Sequence, residues 1–385
     1  MIRPEIKSPQ FGVASASNFE WIDFLRGLSI LGVVLHHVRV DLWIGWSNLY
    51  ATPARYSAFD LATAWLALPT PFLGSMVMLF FLVSGFCIHY PYANAGRKLA
   101  VPSYGLRRFL RIYPPYLAAI VLVVVLEHGA AQFTGQPPSS WSKVLASLLM
   151  VQNYGPEAGQ MVSNPSLWSL PVEVEFYLLY PLFSLAIARA GIRQALLAVG
   201  IISVLATVPL LMGSTWTTGN FANFWIIWCG GVWLAERTRQ GRLPRWGLLQ
   251  FGSMLAAFAA AIAAYVIDAP VVLQNCLWSA GFFLLLLWGL TAHNPLGFLP
   301  ASLKKSMLFL GTISYSLYLV HFPFFRFSGM LWVQAWGAKP SNFLIAIVFS
   351  AVAVGLGYLF YLCFEAPSHR FARILSSAKS LGLCA

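Results

Sequence analysis

About ten stretches of apolar residues, each near the roughly 20 residues that cross a bilayer as a helix, occupy most of this chain. They lie near 22–44, 68–90, 109–127, 170–188, 194–213, 220–235, 247–267, 271–291, 307–325 and 342–364. Lipid offers no partner to a bare backbone amide, so such segments fold as helices that satisfy their own hydrogen bonds. Composition agrees: 59% of the 385 residues are hydrophobic and 9% are charged, against roughly a quarter charged in a soluble domain. The fold class predicted is all-α, a polytopic transmembrane helical bundle of about ten spans. Asp268-Ala269-Pro270 reads as a tight turn, and 128–169, rich in Gly, Pro, Ser and Gln, reads as a loop. No internal repeat or soluble domain is evident.

Charge sets the orientation. With the N-terminus in the cytoplasm and the spans alternating, 18 of the 24 basic residues fall in inside segments, among them Arg3, Lys7, Arg97, Lys98, Arg107, Arg108, Arg111, Arg373 and Lys379. Outside stand Arg55, Lys143, Arg326 and Lys339, with Arg39 near the outer end of the first span. This is the positive-inside asymmetry. It predicts both termini in the cytoplasm and a multi-pass protein of the inner, cytoplasmic membrane. The net charge of +12 is then a topology signal and not a nucleic-acid footprint. Residues 1–20, with Arg3, Glu5, Lys7 and Glu20 and no apolar core, predict an uncleaved cytoplasmic segment. Residues 21–371 form the membrane domain and 372–385 a cytoplasmic tail. The five cysteines, Cys87, Cys229, Cys276, Cys363 and Cys384, have no metal-ligand spacing and read as small buried hydrophobes. No metal site is expected.

Ionisable side chains inside spans are costly and mark functional sites. The first span carries Asp23, Arg26, His36 and His37. At 100° per residue Arg26 and His37 fall on one face, about 16 Å apart along the axis, with Asp23 beside them and His36 about 80° away from Arg26. Asp23 and Arg26 are an i,i+3 pair. Arg107, Arg108 and Arg111 cluster where the third span begins; guanidinium forks and a helix N-terminus both suit phosphate oxygens. The fourth span opens Trp168-Ser169-Leu170-Pro171-Val172-Glu173-Val174-Glu175-Phe176-Tyr177. Ser169 is the expected N-cap and Pro171 fits the first turn. Glu173 and Glu175 point about 200° apart, so one faces the protein interior, and Glu173 shares a face with Tyr177.

In order along the chain, Asp23-Phe-Leu-Arg26-Gly-Leu with His37 eleven residues after Arg26, Phe80-Phe81-Leu-Val-Ser84-Gly85-Phe86, Arg108-Phe-Leu-Arg111, Trp168-Ser169-Leu170 through Glu173 to Phe176-Tyr177, Gly311-Thr-Ile-Ser314-Tyr315-Ser-Leu-Tyr318-Leu-Val-His321, and Phe364-Glu365-Ala-Pro367 resemble the motifs of the acyltransferase-3 family of integral-membrane acyltransferases. Pro171 and Val174 depart mildly from that pattern. The resemblance makes 21–371 an acyltransferase-3-like domain, with no appended esterase-like domain expected. It implies an O-acetyltransferase-type enzyme that moves an acyl group, usually acetyl, from acetyl-CoA to a hydroxyl of a sugar, polysaccharide or lipid-linked glycan. No permanently bound cofactor is implied, acyl-CoA being a substrate. The partners implied are acyl-CoA, the glycan acceptor and the bilayer, with a homo-oligomer left open. The site residues implied are His37 as general base or transient acyl carrier, Asp23 and Arg26 fixing that stripe, Glu173 on the acceptor side, and Arg107, Arg108 and Arg111 on the CoA phosphates. Ser84, Tyr177 and His321 are secondary candidates. Buried charges also build proton relays and substrate paths, so a multi-span transporter or exporter is the competing class.

Overall fold

The computed structural model describes residues 16–93, 99–154, 159–214 and 219–380. Arg3, Glu5, Lys7, Arg97, Lys98 and Cys384, and the side chains of Arg373 and Lys379, lie outside the described part.

The elements are α1 (Ala16–Asp41), α2 (Trp46–Ala51), α3 (Ala58–Ala64), α4 (Met76–His89), α5 (Val101–Thr134), α6 (Trp141–Leu148), α7 (Ser169–Ala190), α8 (Ile192–Leu211), α9 (Ala222–Arg239), α10 (Leu248–Val266), α11 (Val271–Thr291), α12 (Ala301–Trp336), α13 (Phe343–Phe360) and α14 (Ala366–Ser380). No strand occurs among the described residues. Nine segments among them are long and apolar enough to cross a membrane. The tenth expected span, 220–235, is α9, whose last turns carry Glu236, Arg237 and Arg239 and break the apolar window. α9 does not need a lipid-facing surface throughout, because Trp228, Cys229, Val232, Leu234 and Ala235 are buried inside the bundle.

Two helix pairs form the centre. α1 packs along α12, and α4 along α9. Glycines let the backbones close in, as small residues do between membrane helices. A Cβ on Gly27 would stand 2.0 Å from the Met307 carbonyl oxygen, and one on Gly311 would stand 2.1 Å from that of Asp23. In the second pair the equivalent approaches are Gly85 to the Trp228 carbonyl and Gly231 to that of Leu82. α12 is the most enclosed span, with 72% of its apolar window buried, while α10 at 11% lies at the rim. Large apolar side chains such as Leu178, Leu197 and Val266 face outward, as they would toward lipid.

The described part of 128–169 holds more helix than a loop would. α5 runs seven residues past its expected end at 127, and α6 occupies part of the remainder. The buried carboxylate of Glu127 organises it, accepting from Ser139 N–H at 2.8 Å, Ser139 Oγ at 2.9 Å and Ser163 N–H at 2.9 Å. At the same end Arg326 of α12 is paired with Asp41 of α1 at 2.9 Å. α13 ends in a π-turn, Tyr361–Glu365, which aims the buried Glu365 at Ser316 of α12; the carboxylate accepts from Ser316 N–H at 3.1 Å and Oγ at 2.6 Å. Only Cys229 of the described cysteines is buried in the core. Cys87 and Cys276 line cavities, which corrects the expectation of buried hydrophobes.

Candidate functional site

Two cavities open in the bundle, one toward the basic end of α1 and one toward the opposite end. The basic-end pocket, about 200 Å³, draws on α1, α4, α5, α7 and α12 and is lined by Arg26, Ser84, Arg108, Arg111, Glu173 and Tyr177, with Tyr318 and Cys87 also on its wall. Arg26 is held on both sides, by Asp23 at 3.3 Å and by Ser314 Oγ at 3.0 Å. Arg108 lies over the rings of Tyr104 and Tyr177, at 5.8 and 5.5 Å from their centroids. Ser84 Oγ donates to Glu173 at 2.8 Å, and Tyr177 OH donates to the same carboxylate oxygen. Thus three cations and one carboxylate from three helices meet in one pocket.

Several expectations change here. Ser169 is not an N-cap: it is the first residue of α7 after Trp168, and its hydroxyl pairs with Tyr318 OH at 2.7 Å. Helix α5 begins at Val101, so the free amides of its N-terminus lie a few turns away from Arg111 and cannot join it on one anion. Arg107 does not line the pocket; one residue before Arg108, it points elsewhere and donates to Tyr92 OH at 3.3 Å. Glu173, expected on the acceptor side, sits among the arginines. It lies four residues, about 6 Å, down α7 and faces inward. Glu175 faces the other way, toward Tyr154.

His37 lies on the α12-facing side of α1, the side that also carries Arg26. Its Nδ1 is 2.9 Å from His321 Nε2. His321 is fully buried, with Nδ1 at 3.0 and 2.9 Å from the Leu317 and Tyr318 carbonyl oxygens. Carbonyls only accept, so His321 Nδ1 carries the proton and neutral His321 presents Nε2 as an acceptor. His37 Nδ1–H therefore donates, and the lone pair of neutral His37 is on Nε2.

His36 turns to the other cavity, a volume of about 580 Å³ lined from the opposite end by residues of α1, α4, α8, α9, α10, α11 and the 152–168 segment. Its Nδ1 lies 3.0 Å from the Thr70 carbonyl oxygen. Gly74 presses on the ring: a Cβ there would come within 2.9 Å of His36 Cε1. Three ring contacts link the histidines to the basic-end pocket. His36 to His37 and His37 to His321 are both 5.1 Å between centroids, and His321 to Tyr318 is 5.7 Å. Beside this row the two cavities are parted by rings in mutual contact: Phe81 of the basic-end pocket lies 6.4 and 5.6 Å from Trp168 and Phe224 of the other.

The profile of a family described as an acyltransferase domain matches residues 19–362, most of the chain. The chain belongs to this acyltransferase family. Acyltransferase MdmB of Streptomyces mycarofaciens is 27% identical over 333 residues, covering 81% of this chain and 84% of that protein. No solved structure matches. The protein is thus a multi-pass membrane acyltransferase, and family membership sets the transporter reading aside. Within the acyltransferase, sequence reasoning singled out Arg26, Ser84, Arg108, Arg111, Glu173, Tyr177, His37 and His321. It did not assign parts to Ser314 or Tyr318, although both lie in the Gly311–His321 motif that carries the resemblance. The amide-bearing wall of the larger cavity had no signal at all in the sequence.

Proposed function

We propose that this acyltransferase moves an acyl group, acetyl being the expected one, from acyl-CoA at the basic end to a hydroxyl of a sugar or glycan reaching the opposite cavity. The observation that carries the reading is the convergence of Arg26, Arg108 and Arg111 on one pocket with a Glu173–Ser84–Tyr177 cluster. Arg108 and Arg111 suit CoA phosphates, because planar guanidinium groups bind phosphate oxygens through paired N–H donors. Arg26, fixed by Asp23 and Ser314, adds a third cation whose direction is set before the donor arrives. The positive-inside asymmetry of the sequence supports a pocket that faces the cytoplasm across an inner membrane, where CoA esters are made.

His37 is the general base. Its Nε2 lone pair takes the acceptor hydroxyl proton as that oxygen attacks the thioester carbonyl. The C–S bond then breaks, the electron pair leaves on sulfur, and the imidazolium returns the proton to give free CoA thiol and the ester. His321, locked by two carbonyls, orients His37 and stabilises its charged form. Glu173, with Ser84 and Tyr177, orients the reacting group at the pocket end of the path.

Thiol release from acetyl-CoA by purified protein in lipid nanodiscs, measured with and without a glycoside acceptor, tests the reading. The expected result is acceptor-stimulated CoA release with one ester formed per thiol. Acceptor ester formed without CoA release would overturn the donor assignment, and the absence of both would overturn the whole reading.

A further inference from the structure

The wall of the larger cavity is built almost entirely from uncharged groups, and backbone carbonyls fix which way they point. Three chains of hydrogen bonds show this. Tyr116 OH donates to the Ser147 carbonyl at 2.9 Å, so it accepts from Gln152 Nε2 at 3.2 Å and leaves Gln152 Oε1 as the free end. Asn153 Nδ2 donates to the Trp168 and Gly219 carbonyls at 2.8 and 3.0 Å, so its Oδ1 accepts from Gln160 Nε2 at 2.7 Å and Gln160 Oε1 is left. Gln274 Nε2 donates to the Ala269 carbonyl at 2.8 Å and leaves its oxygen. Histidine 36 follows the same rule: Nδ1–H is taken by Thr70, so Nε2 is a lone pair.

Two of these oxygens, Gln152 Oε1 and Gln160 Oε1, are buried without any hydrogen-bond partner among the described residues. Gln152 is itself 2% exposed. Leaving a buried acceptor unpaired has a cost, which a ligand hydroxyl would recover. Among the described residues no lysine, arginine, aspartate or glutamate lines the cavity, while Trp168, Trp278 and Phe72 supply flat apolar faces. Its volume, about 580 Å³, falls within the roughly 300–1,000 Å³ of small-molecule sites.

We propose that this cavity is a binding site for an uncharged, hydroxyl-rich molecule with an apolar face, a neutral sugar unit being the class that fits, and that it rejects the same sugar bearing a carboxylate or phosphate. The fixed acceptors His36 Nε2, Gln152 Oε1, Gln160 Oε1 and Gln274 Oε1 receive hydroxyl protons while the rings cover a C–H face. An anionic group would bring further lone pairs against these acceptors and meet no lysine or arginine among the described lining residues, since Arg39, within electrostatic reach of His36 and Tyr265, stands outside the lining; the cost is a poorly paired buried charge. That the bound sugar is the acyl acceptor rests on the acyl-transfer reading; that the cavity selects neutral polyols does not.

Calorimetric binding in nanodiscs, with no donor present, tests it. The probes are p-nitrophenyl glucoside, galactoside, mannoside and rhamnoside against p-nitrophenyl glucuronide and glucose 6-phosphate. At least one neutral glycoside is expected to bind saturably, with both anions at least about tenfold weaker. His36→Ala and Gln152→Leu should each weaken that glycoside roughly two- to tenfold, as loss of one neutral hydrogen bond does. His36→Gln, which keeps an acceptor atom near the place of Nε2, should restore most of the binding. Gln160→Arg should admit the glucuronide. A thermal unfolding scan confirms that each variant is folded, and Gln152→Asn replaces Gln152→Leu if the latter is not. Glucuronide binding equal to the best neutral glycoside, no binding by any neutral probe, or unchanged glycoside affinity in folded His36→Ala would each overturn the proposal. Saturable neutral binding without thiol release from acetyl-CoA would leave the site standing and remove the acyl-transfer reading instead.

Discussion

The two cavities differ in what holds them together and in what they can recognise. The basic-end pocket is made of charges carried on long spans, with Arg26, Arg108, Arg111 and Glu173 brought together from α1, α5 and α7. The opposite cavity is made of amides, indoles and one imidazole, several of them on the 152–168 segment between α6 and α7. A charge in a bilayer must be paired or used, so the first pocket is tightly networked. Amides tolerate an unfilled acceptor at modest cost, so the second keeps open ends. The pair fits a donor of fixed chemistry on one side and a variable hydroxylated partner on the other.

The contrast is sharpest at the adjacent histidines. His37→Ala is expected to lower kcat for acyl transfer by about 10²–10⁴-fold, the usual worth of general-base catalysis. His36→Ala should keep most of kcat and raise the acceptor KM. Acyl transfer in membranes, normalised to protein level by blot, separates them. Equal loss of kcat in both variants would mean that the two rings act as one unit and that the division between cavities is wrong.

A smaller difference is expected between two neighbouring arginines. Arg108→Ala should raise the donor KM by about 1.5–3 kcal/mol, roughly ten- to 150-fold, because a charge-assisted contact to phosphate is lost. Arg107→Ala, whose side chain points away toward Tyr92, should leave the donor KM within about twofold. Equal effects would show that the cluster serves as a diffuse positive surface and not as a shaped pocket. The smallest effect is expected at Ser314. Removing the hydroxyl that holds Arg26 should raise the donor KM by about 0.5–1.5 kcal/mol, two- to twelvefold, with kcat little changed. A fall in kcat larger than the rise in KM would place Arg26 on the transition state instead.

The contrast also explains what was legible beforehand. Helical spacing on α1 put Arg26 and His37 on one face, and both meet α12, through Ser314 and His321. Costly charges in apolar spans stand out, and their spacing along one helix is rigid. The partners on α12 were harder to read, because Ser314 and Tyr318 have no distinctive cost there. Periodicity required one of Glu173 and Glu175 to face inward, and it is Glu173 that lines the pocket beside the arginines; its depth was not legible, since that depends on how α7 is seated and not on its own periodicity. The limits of α5 were misread because its first turns are polar and amphipathic, and a hydropathy window begins only where the apolar run does. α9 was expected as an ordinary span, yet its charged end leaves it short of one on its own sequence. The amides of Gln152, Asn153 and Gln160 looked like any polar loop. Their meaning lies in carbonyls from three separate segments, Ser147, Trp168 and Gly219, which no local pattern announces.

The contact of Phe81 with Trp168 and Phe224 has a consequence for the cell as a whole. A protein hollowed from both faces of a membrane risks becoming a leak, through which protons and small ions would run down any gradient across it. Of the three interlocked rings between the hollows, two are plain hydrocarbon and the third carries only an indole N–H, which offers a cation no lone pair.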